Sequence, residues 1–174
     1  MVKPIIKAPN PVLNKKSEVV KKVDAEIKKL ISDLRETLDA SKILGAGLSA
    51  PQIGVSKRVC IVRDFRADPN KPTKEIFTEY TLINPEYSFN SDKTTLDWEG
   101  CLSVPDTYGI VKRQKKIKVT ALNEKGEKIK LNSFGFFARE IQHEVDHLDG
   151  ILFTSKVIGT ARTEKELDEI YKSL

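Results

Sequence analysis

A chain of 174 residues, 39% hydrophobic and 32% charged, can bury about 70% of its unfolded surface without disulfide staples, so one domain over residues 1–174 is expected. Two cysteines far apart, Cys60 and Cys101, give no disulfide framework, which suits the reducing cytoplasm, and no apolar run is long enough to span a membrane. The net charge of +5 permits loose attraction to RNA, yet acids lie between the lysines as on a solvated surface, and no direct DNA binding is expected.

Met1 to Ile6 has neither a long apolar core nor a small-residue cleavage site, so no signal peptide is expected. Pro4, Pro9 and Pro11 make residues 4–14 an extended segment with turns. From Val19 to Leu38 the apolar residues Val20, Val23, Ile27, Leu30, Ile31, Leu34 and Leu38 fall at three- and four-residue steps. That spacing predicts a long amphipathic helix whose work is packing. Gly45-Ala46-Gly47-Leu48-Ser49-Ala50-Pro51-Gln52-Ile53-Gly54 follows as a tight loop before a strand from Arg58 to Val62. It is no phosphate loop, because no Gly-Lys-Ser/Thr follows. It is either a turn-rich connector or a backbone wall for an extended substrate, with Gln52 offering an N–H to a developing oxyanion.

Cys60, inside the apolar strand, reads as a buried structural thiol. Arg63 to Thr78, with Asp68-Pro69-Asn70-Lys71-Pro72, reads as a polar, turn-forming excursion before a strand at Thr81–Asn84. Ile117, Val119 and Ala121 alternate with polar residues, and Asn123-Glu124-Lys125-Gly126 turns the chain into Lys128–Leu131, which predicts a hairpin. Phe134 to Asp149 is a predicted helix with Gly150 as its C-cap; Ile151–Val157 reads as one more strand. A last helix opens at Thr163 with Leu167, Ile170, Tyr171 and Leu174 on one face. The expected fold is α+β: antiparallel strands wrapped around a central metal-binding helix, with an N-terminal amphipathic helix and a C-terminal helix.

The central helix carries both histidines of the chain, in His143-Glu144-Val145-Asp146-His147. Imidazoles four residues apart lie on one helix face and can share a metal, with Glu144 beside them as a general base for water. A catalytic site of this kind needs a third protein ligand. The third histidine of metzincin proteases would fall at Phe153, which cannot bind metal. A downstream glutamate, as in thermolysin-like enzymes, would be Glu164 or Glu166, but Thr163-Glu164-Lys165-Glu166 reads as a capping box. Cys101, preceded by Gly100, is a good thiolate ligand for a borderline metal and is favoured.

Three stretches then stand together: Gly45-x-Gly47-Leu48-Ser49-Ala50-Pro51-Gln52, Glu99-Gly100-Cys101-Leu102-Ser103 and Gln142-His143-Glu144-x-x-His147. In order and spacing they resemble the signature stretches of the peptide deformylase family, over essentially the whole chain. The resemblance implies removal of the formyl group from the N-terminal formyl-methionine of nascent polypeptides, with release of formate. It implies one divalent metal on Cys101, His143 and His147, Fe(II) first, with Zn, Ni or Co also accommodated. Glu144 would serve as the base, while the metal, the Gln52 side chain and the Leu102 backbone N–H would hold the oxyanion. The substrate backbone would pair along Ala46, Gly47, Leu48 and Gly100, with Tyr108, Phe136, Arg139 and Glu140 around its side chain. A monomer meeting the ribosome transiently is also implied.

Two positions depart from that pattern. Glu140 stands where members commonly have an apolar or small residue, one turn before Glu144 and so on the predicted metal-facing side. A carboxylate there needs a partner, such as Arg139, Arg113 or a lysine, or must bend outward to water. Tyr108 stands where bacterial relatives often carry an arginine.

Overall fold

The first helix, α1, runs from Ala25 to Asp39 in the computed structural model, which describes residues 1–41, 45–68 and 71–172, the side chains of 66–68 and 71–75 aside. Its apolar stripe (Ile27, Leu30, Ile31, Leu34 and Leu38) is buried as the spacing predicts. The helix nevertheless starts later than Val19. Asp24 caps it, accepting the Ile27 N–H at 3.0 Å, and Val20 is held outside the helix by Asn84, which takes its N–H and donates to its carbonyl. Val20 is still buried, so its hydrophobicity serves the core without helical backbone.

Strands are numbered in chain order. Strands β1 (Gly47–Ser49), β2 (Val59–Asp68), β3 (Lys71–Ser88), β6 (Lys116–Leu122) and β7 (Lys128–Phe134) form one antiparallel sheet in the order β1-β2-β3-β6-β7. The β6–β7 pair is the predicted hairpin, in register from Lys116 opposite Phe134 to Leu122 opposite Lys128. The excursion expected at Arg63–Thr78 is instead strand: Arg63 to Ala67 pair with Glu75 to Glu79. Polarity misled there because the charges are matched across the ladder. Arg63 donates to its cross-strand partner Glu79 and lies 4.5 Å over the Phe77 ring. Of the turn expected at Asp68–Pro72, Pro69 and Asn70 lie outside the described residues.

The sheet buries both faces, and the two-residue period of a strand sorts them. Val59, Ile61 and Ile83 face α1, Leu48 and Ile53. Cys60, Val62 and Leu82 face the other way, with Ile117, Val119 and Ala121, onto the second helix, α2 (Gly135–Leu148), through Ala138, Ile141, Val145 and Leu148. On its far side α2 meets a separate hairpin, β4 (Thr94–Cys101) with β5 (Val104–Gln114). The fold is therefore α+β, with α2 enclosed between sheet and hairpin.

Helix α2 ends one residue earlier than expected: Asp149, not Gly150, is the C-cap, and Gly150 follows at φ 75°. A Cβ on Gly150 would stand 2.7 Å from the Asn14 backbone carbon, so the N-terminal segment crosses here in contact with the helix end. Residues 151–157 do not form the expected strand. Phe153–Lys156 is a 3-10 turn that buries Phe153 against the His143 ring, and only Val157 bridges to Val111. The last helix, α3 (Glu164–Lys172), has the predicted capping box between Thr163 and Glu166, and Asp106 also accepts the Glu164 N–H. Leu167 is half-buried while Ile170 and Tyr171 stay exposed; Leu174 lies outside the described residues. Among the described residues, no helix is long and apolar enough to cross a membrane.

One side chain ties α2 to the hairpin backbone. Gln142 accepts the Gln114 N–H and donates to the Gln114 carbonyl, both at 3.0 Å. Gln142→Ala leaves both groups without a protein partner and should lower the free energy of unfolding by about 1–3 kcal/mol. Urea denaturation checks this; an unchanged midpoint would show that the pair is dispensable.

Candidate metal centre and catalytic site

The site forms where α2 faces the tip of the β4–β5 hairpin. His143 and His147, one helical turn apart, have ring centroids 4.9 Å from each other. Cys101 closes β4, and Leu102 and Ser103 make the two-residue turn to Val104. Ligand atoms of Cys101, His143 and His147 all lie within 4.8 Å of one another, with Cys101 Sγ 3.2 Å from His147 Nε2.

This donor set fits a single divalent metal. One thiolate and two imidazoles supply three protein ligands and leave a fourth position open, as a catalytic metal site requires. The electrostatics agree. Burial disfavours a charged His143, yet the Cys101 sulfur and the Glu99 carboxylate outweigh it and raise the imidazole pKa well above its ordinary value, so the cluster attracts positive charge. Burial, with help from His143 and Arg113, pushes His147 well below its ordinary value and keeps it neutral, the form in which histidine ligates.

Glu99 sits two residues before Cys101, on the same side of β4. Its Oε2 contacts His143 Nδ1 at 3.0 Å, which fixes the ring and turns Nε2 toward the cluster. The same carboxylate accepts two bonds from Arg113 (2.8 and 2.9 Å) and one from Arg139 (2.8 Å). Burial opposes its ionisation, but the Arg113 and His143 bonds hold it well below the usual carboxylate range. Arg113 continues to Asp146 on α2 at 2.5 Å, and Lys156 reaches Asp146 from outside.

Glu144 is 2% exposed. Burial pushes its carboxyl up to about 7, against the opposing pull of His143 and of a bond from Ser49. Ser49 Oγ lies 2.5 Å from Glu144 Oε2. Oε1 lies over Gly47, where a Cβ would come within 2.7 Å of it. The loop predicted at Gly45–Gly54 thus forms the wall against Glu144. Gln52 belongs to the same wall: its Oε1 accepts the Ser49 N–H at 2.9 Å, aiming Nε2 at Ser103 Oγ (3.3 Å) and Cys101 Sγ (3.6 Å).

The substrate candidates divide. Leu48 has a fully buried side chain, leaving only its backbone on β1, an edge strand of the sheet. Ala46 is half-buried, and its carbonyl accepts the Arg63 N–H. Tyr108 lies opposite Gly100, its ring filling the space a Cβ there would need (2.8 Å). Phe136 is 56% exposed and borders an open cleft of about 810 Å³ with Phe65, Tyr80, Phe134 and Phe137. Arg139, expected in the substrate pocket, is buried and donates to Glu99, the Val111 carbonyl and Thr95. Neither it nor Arg113 pairs with Glu140, since both are committed to the Glu99 cluster. Glu140 is half-buried, its side chain makes no hydrogen bond among the described residues, and its carboxyl is raised above the ordinary carboxylate pKa by burial.

Glu166 is spent on its cap and Glu164 is exposed at the start of α3, so neither joins the cluster. The motifs assigned no work to Ser49 or Glu99, and Arg113 entered only as a possible partner for Glu140. For Glu99 a signal existed: in a strand through Cys101, the residue two before it shares its face. The Ser49–Glu144 contact spans ninety-five residues and has no local signature.

Two imidazoles on one helix with a carboxylate between them, completed by a thiolate from a hairpin, are the working parts of a metal-dependent hydrolase, and the ligand set separates it from metzincin and thermolysin-like proteases. Comparison with known proteins narrows the class. The family described as polypeptide deformylase matches residues 2–163. A peptide deformylase of Symbiobacterium thermophilum is 44% identical over 165 residues, 95% of this chain and 71% of that protein. Peptide deformylase 1 of Bacillus subtilis is 41% identical over 169 residues, 97% of this chain and 98% of that one. Among solved structures, a class I type b peptide deformylase from Acinetobacter baumannii with Met-Ala-Ser bound superposes with a TM-score of 0.79 at 35% identity, covering 90% of this chain and 99% of that one. The Thermotoga maritima enzyme gives 0.79 at 33% identity, covering 91% and 99%. The chain belongs to the polypeptide deformylase family, and its activity is removal of N-formyl groups from nascent polypeptides.

Two substitutions probe the surroundings of the centre. Gly47→Ala should leave a folded, metal-binding protein whose deformylation falls by up to about 10²-fold, because the methyl displaces the Glu144 carboxylate. Steady-state formate assays at unchanged melting temperature read it; wild-type turnover would mean that Glu144 tolerates the shift. Glu99→Gln should weaken metal affinity by about 10–100-fold, read by competition with a chelator, since His143 loses an anionic partner.

Proposed function

We propose that Cys101, His143 and His147 hold one divalent metal and that Glu144 is the base of the deformylation. The convergence of the three ligand atoms within 4.8 Å, with the Glu144 carboxylate next along the helix, carries this assignment. A thiolate with two imidazoles suits Fe(II) and Zn(II) alike, and the family resemblance favours Fe(II), with Ni or Co able to substitute. When bound, the metal supplies Lewis acidity that brings the ionisation of a water near neutral pH.

The chain's own groups do the rest. An extended formyl-methionyl backbone adds to the free edge of β1 along Ala46, Gly47 and Leu48 and passes Gly100 on β4. Glu144 takes a proton from the attacking water as its oxygen bonds to the formyl carbon. Charge then grows on the formyl oxygen, where Gln52 Nε2 and the Leu102 N–H offer donors; Leu102 begins the hairpin turn, so its N–H lies outside the strand pairing. Glu144 passes the proton to the amine nitrogen as the C–N bond breaks, leaving formate and a free N-terminus. Tyr108, Phe136 and Glu140 border the substrate side chain in this scheme, while Arg139 acts by holding Glu99. The family resemblance favours a cytoplasmic monomer that meets the ribosome transiently.

The test is formate release from formyl-Met-Ala-Ser by protein purified without oxygen and loaded with Fe(II) or Ni(II). Glu144→Gln should lose on the order of 10²–10⁴-fold in kcat while keeping one metal per chain. Cys101→Ala should lose metal and activity together. Undiminished turnover in Glu144→Gln would sink the assignment of the base.

A further inference from the structure

Glu144 is enclosed by protein, and a buried carboxylate keeps a fixed orientation only where something donates to it. Among the described residues one side chain does so: Ser49, itself fully buried, with Oγ 2.5 Å from Oε2. The opposite oxygen, Oε1, has no donor there and lies 2.7 Å from where a Cβ on Gly47 would stand. The carboxylate is thus clamped on one oxygen and left free on the other. Motif comparison gave Ser49 no function, and the mechanism above does not use it.

We infer that the Ser49 hydroxyl is a positioning group for deformylation, holding Glu144 Oε2 so that Oε1 is the oxygen presented to water and to the leaving amine. This rests on the assignment of Glu144 as the base. A purely structural alternative exists, because Oγ is also 3.1 Å from the main-chain carbonyl of Glu144. A hydroxyl has one hydrogen to donate, and the shorter contact, to a charged acceptor, is the stronger. The bond from the Ser49 backbone N–H to Gln52 Oε1 survives in Ser49→Ala. The Ser49 side chain also faces the Gln52 backbone N–H in a capping box, so the single variant removes that cap together with the contact to Glu144, and a double-mutant cycle is needed to separate the two.

The experiment is a double-mutant cycle on the metal-loaded protein with formyl-Met-Ala-Ser, combining Ser49→Ala with Glu144→Asp, whose shorter side chain withdraws from Ser49. Ser49→Ala alone should lower kcat by about 10–100-fold, as expected for a reacting group displaced by up to an ångström, with KM within about twofold and metal content still one per chain. In the Glu144→Asp background the same change should cost no more than about twofold, because the contact is already gone. Ser49→Cys, with a weak donor of similar size, should fall between wild type and Ser49→Ala, and enters the same cycle if the alanine variant does not fold. Wild-type kcat in Ser49→Ala, an effect on KM alone, or an equal loss in both backgrounds would overturn the inference. Glu144→Gln, run alongside, separates the two levels: full activity there removes the base itself, whereas its loss beside an unaffected Ser49→Ala removes only the role of the serine.

Discussion

Glu99 is 5% exposed, and an isolated carboxylate at that depth would forfeit on the order of several kcal/mol of hydration. It is tolerable because both oxygens are occupied by donors from two elements: Arg113 on β5, and Arg139 and His143 on α2. Such a cluster adds little net stability, since desolvation offsets most of the attraction. What it supplies is placement. Glu99 lies on the same strand as Cys101, so the bonds that satisfy its charge also fix the distance between the thiolate and the helix that carries the two imidazoles. A register slip of β4 by one residue would turn both Glu99 and Cys101 away from α2, leaving two buried arginines without their shared partner. The ligand geometry is thus enforced by the cost of an unpaired charge, before any metal is considered.

The wall on the other side of Glu144 works through backbone and small side chains. Gly47 gives the carboxylate room, Ser49 gives it a donor, and the Ser49 N–H orients Gln52. Proline at the start of the following 3-10 turn and Gly54 in the left-handed region at its end make this stretch rigid and short. Three groups with different tasks are therefore set by six consecutive residues, which leaves little freedom for one to move without the others.

The parts legible in the sequence were those with a local period or a local chemical pairing. The two histidines share a face because they are four apart, the β6–β7 hairpin shows its alternation and its turn, and Thr163 and Glu166 form the cap that their spacing predicts. What escaped depends on partners far away. Val19 to Val23 keeps the helical apolar spacing, but Asp24 caps the helix and Asn84, sixty-four residues on, claims the backbone of Val20. Arg63 and Glu79 read as surface charge until they are set opposite each other on β2 and β3. Arg139 looked available for substrate because its acceptors, Glu99, Val111 and Thr95, lie twenty-eight or more residues upstream.

Helix α2 is the inner layer of the molecule, yet it is among the last parts of the chain to be synthesised. The sheet face that it covers (Cys60, Val62 and Leu82) is already made when β3 ends at Ser88, sixty residues before Leu148. At roughly 5–20 residues per second, that face waits about 3–12 s for its cover, and longer while the helix clears the exit tunnel. During this interval the nascent chain offers exposed apolar surface to its neighbours and to chaperones. Because Cys101 and both histidines come after the sheet's first three strands, the cluster that fits a metal cannot assemble before the segment that closes the core arrives.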